Sequence, residues 1–160
     1  MKARLVSSVV LAATVALGAT GCSLFSTQAT SYEYAPSDGV SVNAGEVKVR
    51  NALFVANDDA TAFNLAFTAV NPSEASETLT ITAVVNGVRT SEEIRLESGS
   101  TQFGNPKKGQ ETVVFSGIKA EAGQTVVTYF QSGSSDEVEQ YVPVLDGTLA
   151  EYKPLVLSAQ

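Results

Sequence analysis

Apolar and polar residues alternate along most of the chain after residue 45, and this alternation predicts β-strands. In the segment 63–69, every second residue belongs to one apolar set: Phe63, Leu65, Phe67 and Ala69. Successive strand residues point to opposite sides of a sheet, so a period of two places such a set on one face. No segment shows the 3.6-residue period of an amphipathic helix. The predicted strands are Val47–Val55, Phe63–Ala69, Leu79–Val85, Val88–Leu96, Thr112–Ile118, Thr125–Gln131 and Val138–Val144.

Turn-forming residues separate these runs. Asn86-Gly87 lies between two of them and is typical of a two-residue β-hairpin turn. Asn71–Glu74, Asn105–Gly109 and Ser132–Asp136 supply further turns rich in Asn, Pro, Gly or Ser. About seven short strands at intervals of about 8 to 15 residues favour an all-β fold, a single antiparallel β-sandwich of immunoglobulin-like build.

The N-terminal residues follow a different pattern, that of an export signal. A short basic segment precedes the uncharged run Leu5–Leu17, and small residues then lead to Cys22. The run is shorter than the roughly 20 residues that a membrane-spanning helix needs. Ala19-Thr20-Gly21-Cys22 resembles a bacterial lipobox, which implies cleavage after Gly21 and a lipid on Cys22. The alternative is an ordinary secretory signal that contains a chance cysteine.

Charge limits the partners of the mature chain. Removal of residues 1–21 leaves 139 of the 160 residues, one domain's worth, and changes the formal net charge from −7 to −9 because Lys2 and Arg4 are lost. This acidic balance argues against nucleic acid and against electrostatic attraction to anionic lipid. Attachment to the membrane is therefore predicted to come from the acyl chains on Cys22, which place the protein at the outer face of the plasma membrane.

Composition divides the chain into four segments. Residues 1–21 are the predicted signal peptide, and residues 22–44 are the predicted lipidated cysteine and a flexible tether that contains Ser, Thr, Gln, Gly and Pro. Tyr32 and Tyr34 in this segment could instead pack onto the domain. Residues 45–155 are the predicted β-sandwich and residues 156–160 a tail. The single cysteine of the chain allows no internal disulfide.

Three stretches in the second half of the chain resemble the periplasmic copper-chaperone family: Glu111–Ile118, Ala122–Phe130 and Tyr141–Val144. The resemblance implies a small cupredoxin-like sandwich. That family binds copper through His and Met side chains, which suit Cu(I), and places a His-x-Met pair where this chain has Thr112-Val113-Val114. The chain has no histidine and its one methionine is Met1. The expectation is a related fold that lacks this copper site, with no cofactor.

A second resemblance runs in order along nearly the whole chain. The lipobox, the tether, Asp38–Val40, Val47–Asn51 and Val142–Asp146 are together similar to a family of actinobacterial cell-surface lipoproteins. This resemblance implies the same lipid-anchored location as the signal sequence.

Candidate catalytic chemistry is sparse. Without histidine, neither a Ser-His-Asp nor a Cys-His nucleophile system can be built, and only Ser-Lys pairs remain. Acidic residues cluster at Asp58-Asp59, Glu92-Glu93 and Asp136–Glu139, in predicted turns or on polar strand faces where solvated charge is favoured over acid–base chemistry. The last cluster could collect Ca²⁺, although its spacing matches no calcium loop. The chain is therefore not predicted to be an enzyme.

Aromatic residues near the end of the chain are the candidates for ligand contact. Tyr129, Phe130 and Tyr141 are predicted to matter if a ligand is bound, and the alternative is that they alternate between core and surface.

Three functional hypotheses remain, of which the first is favoured. It is a non-catalytic binding or scaffold module of the bacterial cell envelope that engages another envelope protein through its loops or an edge strand. The second is a carrier that holds an apolar molecule in a cavity between the sheets. The third is a degenerate relative of the copper chaperones with a different or lost metal function. A large apolar cavity would favour the second hypothesis, and inward-pointing carboxylates the third.

Overall fold

The computed structural model describes residues 37–85, 87–117 and 120–157, together with Val10, Ala13 and Val15 in helical conformation. The predicted cleavage and lipidation sites at Gly21 and Cys22 lie outside the described residues, as does most of the predicted tether. The chain divides into two compact units, residues 1–34 and 35–160, and the fold below is that of the second. No helix in the described part is long and apolar enough to cross a membrane.

Strands dominate the described residues, as the alternating sequence predicts. Each of the seven predicted runs overlaps a strand, and two further strands and two short 3₁₀ turns were not predicted. The turns are Pro106–Lys108 and Lys153–Leu155, and the strands are β1 (Val40–Ala44), β2 (Val47–Ala56), β3 (Ala62–Asn71), β4 (Glu77–Val85), β5 (Val88–Leu96), β6 (Gly99–Phe103), β7 (Val113–Ser116), β8 (Thr125–Ser132) and β9 (Val138–Leu145).

The strands form a curled, mixed sheet. Its order is β5-β4-β8-β9-β2-β3-β6, with β1 beside β2 and β7 beside β3. All pairs are antiparallel except β2 and β9, which run parallel where Phe54 lies opposite Val144 and Val55 opposite Leu145. The prediction of an antiparallel-only sandwich is therefore wrong. The first half of the same edge of β2 pairs with β1, so β9 joins only the second half.

The predicted tether extends too far, because its last five residues form β1. Val42 and Ala44 are buried, and a two-residue turn connects this strand to β2. The Arg50 guanidinium fastens the hairpin by donating hydrogen bonds to the Val42 carbonyl (3.1 Å) and to Asn43 Oδ1 (2.8 Å). The predicted hairpin between β4 and β5 is confirmed, since Val85 pairs with Val88 and Gly87 has φ of +79°; Asn86 lies outside the described residues.

The main core fills the inside of the curl. Phe54 of β2 makes edge-to-face contacts with Phe63, at 6.5 Å between ring centroids, and with Phe115, at 5.5 Å. All three side chains are almost completely buried. These rings come from neighbouring strands at one end of the sheet order: β2, β3 and β7.

A second, smaller apolar cluster lies on the outside of β2 and β3. Leu53, Val55 and Ala66 are buried there beneath Leu145 and residues of the C-terminal strap, which we define as residues 149–157. Buried Asn64 holds the strap by donating from Nδ2 to the carbonyl of Leu155 (2.7 Å). Val156 belongs to this cluster, so the predicted tail begins too early. The strap residues in the cluster are Tyr152, Leu155 and Val156.

Gly104 is a point of close approach between β6 and β3, and its replacement by alanine should destabilise the fold. Its φ is +100°, and an added Cβ would lie 2.6 Å from the Cα of Ala66. The strained φ and the overpacking together should cost about 3 kcal/mol of unfolding free energy, measured by urea denaturation of the full chain.

Gly109→Ala is the matched control for this prediction. Gly109 also has positive φ, +69°, but no atom lies within 4 Å of its added Cβ. Gly109→Ala should lower the unfolding free energy only by the cost of the backbone strain, about 1 kcal/mol. Equal losses in the two variants would show that Gly104 is not tightly packed against Ala66.

Candidate functional site

The positions where the copper-chaperone resemblance expects soft ligands carry none. Thr112 precedes β7 and is half-buried, Val113 is buried and Val114 is half-buried. Val113 and Val114 pair with Leu65 and Asn64 of β3. The site therefore presents a hydroxyl and two aliphatic side chains. Among the described residues, no group of three or more His, Cys, Asp or Glu side chains is placed to hold a metal ion.

Two exposed aspartates, Asp59 and Asp146, accept hydrogen bonds within the turns in which they lie. Asp59 Oδ1 accepts hydrogen bonds from the hydroxyl (2.6 Å) and the N–H (3.1 Å) of Thr61. These bonds hold the pKa of Asp59 below its usual value of 3.8, and the bond from the hydroxyl has the largest effect. Hydrogen bonding from the Thr148 side chain and N–H lowers the pKa of Asp146 in the same way. A general acid needs a raised carboxyl pKa, so these two groups do not suit that role.

The remaining acidic clusters do not assemble into a site either. Glu92 is half-buried and Glu93 exposed on the edge strand β5. Charged residues on an edge strand discourage pairing with other chains. In the cluster from 136 to 139, Glu137 pairs with Arg89 and Glu139 accepts a bond from Tyr129, so the two carboxylates have separate partners.

A face of the sheet opposite the core combines an exposed aromatic ring with polar side chains. We call it the Tyr141 face and define it as the outward residues of β4, β5, β8 and β9. Tyr141 is 60% exposed, whereas Phe130 is fully buried and Tyr129 half-buried, so the predicted alternation of the three aromatics is confirmed. The face consists of Thr78, Thr80, Thr82, Val84, Arg89, Ser91, Glu93, Arg95, Thr125, Val127, Tyr129, Gln131, Glu139, Tyr141 and Pro143.

The polar groups at the centre of the Tyr141 face are held by one another. The Arg89 guanidinium carbon lies 4.8 Å from the centroid of the Tyr129 ring, and its Nη2 is 2.9 Å from Glu137 Oε1. The Tyr129 hydroxyl donates to Glu139 at 2.7 Å, and this bond raises the pKa of Tyr129. A cation over an aromatic ring and a bonded phenol favour this arrangement of the side chains. The network lies beside the exposed Tyr141.

The sequence does not reveal this network, because Arg89 and Glu137 are 48 residues apart. The register of four strands brings them together. A partial signal exists in β5, where four polar residues alternate with half-buried or buried positions and so mark one outward polar face: Arg89, Ser91, Glu93 and Arg95.

An open groove of about 550 Å³ lies where β2 and β9 end. Its charged members are Asp58, Asp146 and Lys153, all exposed. The carbonyl oxygen of the Asn57 side chain accepts bonds from the N–H groups of Thr61 and Ala62 and is not free for a ligand. The groove thus offers few converging polar groups. The other residues that line it are Ala56, Gly147, Thr148 and Val156.

Inside the curl, the packing leaves little room. The gap bordered by Phe54, Phe63, Ala83, Phe115 and Val126 is too small for a water molecule. An apolar ligand needs a cavity of several hundred Å³. The packing at this place therefore gives the carrier hypothesis no support.

Tyr152 fastens the strap to the start of the domain, and its titration predicts a loss of stability in alkali. Its hydroxyl donates a hydrogen bond to the Asp38 carboxylate, which raises the pKa of Tyr152 to about 12 from 10.0. Because the folded state holds this proton more tightly, the stabilisation is complete below about pH 10 and is lost as pH rises through 12. The unfolding free energy should therefore fall between pH 10 and 12.

Tyr152→Phe provides the comparison. It lacks the titrating hydroxyl, so its unfolding free energy should fall less over the same interval, as measured by urea denaturation at each pH. Parallel pH profiles for the two proteins would show that this hydrogen bond does not couple the strap to the domain.

Comparisons with known proteins relate this chain to one fold. No protein-family model matches the sequence, and no curated protein matches it. Among the similar solved structures are the copper-bound PCuAC domain from PmoF2, 15% identical over 67% of this chain and 98% of that domain with a TM-score of 0.50, and the apo PmoF2 PCuAC domain, 14% identical over 69% and 98% with a TM-score of 0.52. At this identity the likeness concerns the fold alone. The cupredoxin-like fold expected from the second half of the chain is thus confirmed.

Proposed function

We propose that the chain is an extracytoplasmic lipoprotein, held at the outer face of the plasma membrane by lipid on Cys22, whose β domain is a non-catalytic binding module of the bacterial cell envelope. The proposal is based mainly on the order of features along the chain. An export signal ends at its only cysteine, and a β domain with a preformed aromatic and polar face follows. The resemblance to actinobacterial surface lipoproteins agrees with this order.

The Tyr141 face supports binding rather than catalysis. The two carboxylates at its centre, those of Glu137 and Glu139, are engaged with Arg89 and Tyr129, and the chain has no histidine to activate a nucleophile. Exposed Tyr and neighbouring Arg are the residue types that contribute most to protein recognition sites. A face of this kind suits a module that holds another envelope component.

Capture of partners from intact envelopes tests this function. The full chain, expressed in its native host and crosslinked before lysis, should retain specific envelope components, and Tyr141→Ala should retain fewer of them. Leu149→Ala is a suitable control because its side chain is 55% exposed and lies outside the Tyr141 face. Recovery of the same material with all three proteins would contradict the assigned surface.

A relative of the copper chaperones with a different or lost metal function is the second candidate, and the shared fold favours it. A fold can persist after its site is lost, because core residues and metal ligands are different residues. This chain offers carboxylates, amides, hydroxyls and carbonyls, which suit hard cations rather than Cu(I).

A copper titration tests whether the chain keeps the function of the copper chaperones. The full chain should leave Cu(I) with a chromogenic chelator of sub-nanomolar affinity under reducing conditions, because it lacks imidazole and its one thioether is at Met1. The Cys22→Ser variant serves as a control for binding by an unlipidated thiol. Removal of one equivalent of Cu(I) by this variant would return the copper chaperone function to first place.

A further inference from the structure

The end strand β6 presents an uncharged, unpaired backbone edge, and we propose that it pairs with β6 of a second copy of this chain. The two strands run antiparallel about a two-fold axis at Thr101, so that the two sheets continue into one. The inference goes beyond the proposed function, because it concerns assembly of the module with itself. It rests on that function only for the concentration of chains at a membrane.

Only one edge of β6 is paired within the described residues. It pairs with β3 from Gly99, opposite Asn71, to Phe103, opposite Phe67, and no described strand pairs with its other edge. Phe103 is buried and stacks on Phe67 with 4.8 Å between the ring centroids, so this contact holds the strand on β3. A strand that is held in place and has unpaired N–H and C=O groups is a template for another strand.

The two ends of the sheet differ in charge. Charged side chains discourage pairing with other chains, and β5 at one end of the sheet carries four: Arg89, Glu92, Glu93 and Arg95. At the other end, β6 has the sequence Gly-Ser-Thr-Gln-Phe, without a charged residue, and its first four residues are exposed. The nearest charged residues along the chain are Glu97 and Lys107, both outside the strand. Pairing is therefore opposed at β5 and permitted at β6.

A second copy of β6 is complementary to this edge under two-fold symmetry. With the axis at Thr101, this residue faces its own counterpart, and Ser100 faces Gln102 of the other copy. These pairs contain no like charges, and hydroxyl and amide side chains can hydrogen-bond across antiparallel strands. The same operation at Glu92, the middle residue of β5, would place two carboxylates opposite each other. Self-pairing through one shared surface is the arrangement of the commonest homodimers.

The surroundings of β6 offer little to a peptide of another protein. Strand addition takes its affinity from main-chain hydrogen bonds and its specificity from pockets for alternate side chains. No residue of β6 lines the open groove or the interior gap described above. Within this chain, the uncharged polar strand that fits beside Ser100, Thr101 and Gln102 is β6 itself.

The contact should be weak in solution and should depend on crowding at a membrane. A pair of five-residue strands is a small contact, whereas stable protein interfaces bury about 800 Å² from each partner. Lipid on Cys22 confines the chains to one surface, which raises their effective concentration. We therefore expect reversible dimers at the membrane and monomers in dilute solution.

Disulfide trapping tests this pairing, because Cys22 is the only cysteine and its thiol is blocked when it carries lipid. Directly opposite residues of antiparallel strands have Cα atoms about 4.5–5.5 Å apart, within the range of a disulfide. Membranes that contain the Thr101→Cys chain are treated with diamide, and we expect a disulfide dimer. Ser100→Cys is the matched control. Its counterpart is a diagonal neighbour at about 7–8 Å, so its trapped fraction should be less than about a tenth of that of Thr101→Cys.

Charge changes at two exposed positions give a second test. Ser100→Lys with Gln102→Lys, added to Thr101→Cys, places lysine opposite lysine twice and should lower the trapped fraction about fivefold. Ser100→Lys with Gln102→Glu places lysine opposite glutamate twice and should leave the trapped fraction at the original level or above it. Both positions are exposed, so neither pair of substitutions should unfold the chain.

A failure of lipid anchoring is separated from a failure of pairing. A diamide-induced dimer of the original chain would reveal a free thiol on Cys22 and would contradict the anchor alone. Thr101→Cys is therefore also combined with Cys22→Ser and treated in detergent micelles at about 1 mM chain, a concentration comparable to that of tethered molecules, where a dimer is again expected. Absence of this dimer, equal trapping of Thr101→Cys and Ser100→Cys, or equal trapping of the two charged variants would each overturn the inference.

Discussion

Replacement of Phe54 by alanine should lower the unfolding free energy of the chain by about 3–5 kcal/mol. Phe54 is 2% exposed and lies between the rings of Phe63 and Phe115, with which it makes edge-to-face contacts. Such pairs add to the energy of burial alone. The gap beside these rings is already too small for water, so the lost ring would leave a cavity that neighbouring side chains fill only in part.

Urea denaturation of the full chain measures this effect. Domains of this size have total stabilities of about 5–15 kcal/mol, so the variant should be partly unfolded under mild conditions. Val88→Ala, at an exposed position, should change the unfolding free energy by less than about 0.5 kcal/mol. A loss below about 1 kcal/mol for Phe54→Ala would contradict the described core.

Hydrophobic alternation is enough to predict most of the strands, but not the two that bury little. All seven predicted runs overlap strands because each carries several buried residues. β6 buries only Phe103 among its five residues, so it has no alternating signal. β1 buries Val42 and Ala44 but is only five residues long and lies in a segment rich in Ser and Gly. Both strands form because longer neighbours, β3 and β2, offer them an edge.

The direction of β9 relative to β2 and the position of the strap depend on contacts between residues that are distant in sequence. The parallel pairing of β2 and β9 involves two residue pairs. One signal was available: the apolar run Ala52–Ala56 has no alternation, which is typical of a strand buried on both faces. Leu53 and Val55 do lie beneath the strap. The sequence could therefore predict that this strand is covered, but not which segment covers it.

The aromatic residues of the candidate site could be predicted from the sequence, but the side chains that contact them could not. Tyr129 and Tyr141 stood out from the sequence, and alternation correctly predicts that one neighbour, Phe130, faces the core. The ion pair of Arg89 with Glu137 and the contact of Arg89 with Tyr129 depend on the register of four strands, β5, β4, β8 and β9. A pattern within one strand carries no information on that register.

Replacement of Cys22 by serine should abolish retention in the membrane, which is the second large effect expected. The mature chain is acidic, so it has no electrostatic attraction to anionic lipid that could replace the acyl chains. Two acyl chains are enough for stable anchoring, because each buried methylene contributes about 0.8 kcal/mol. In fractionated cells, the original chain should sediment with membranes. The variant should be released from them or should accumulate with its signal peptide uncleaved.

Tyr141→Ala is the control for this fractionation. It alters an exposed residue of the β domain and should leave the membrane fraction unchanged. Sedimentation of Cys22→Ser as a cleaved protein with the membranes would mean that something other than lipid on Cys22 retains the chain.

Metabolic labelling with a palmitate analogue shows whether Cys22 carries lipid, because it detects the lipid itself. Cells that express the original chain or Cys22→Ser are grown with the analogue, and label on the immunoprecipitated protein is measured together with the mass of its N-terminal peptide. We expect label on the original chain, at an N-terminal peptide that begins with modified Cys22, and no label on the variant. Equal labelling of the two proteins, or an unlabelled original chain, would contradict lipidation of Cys22.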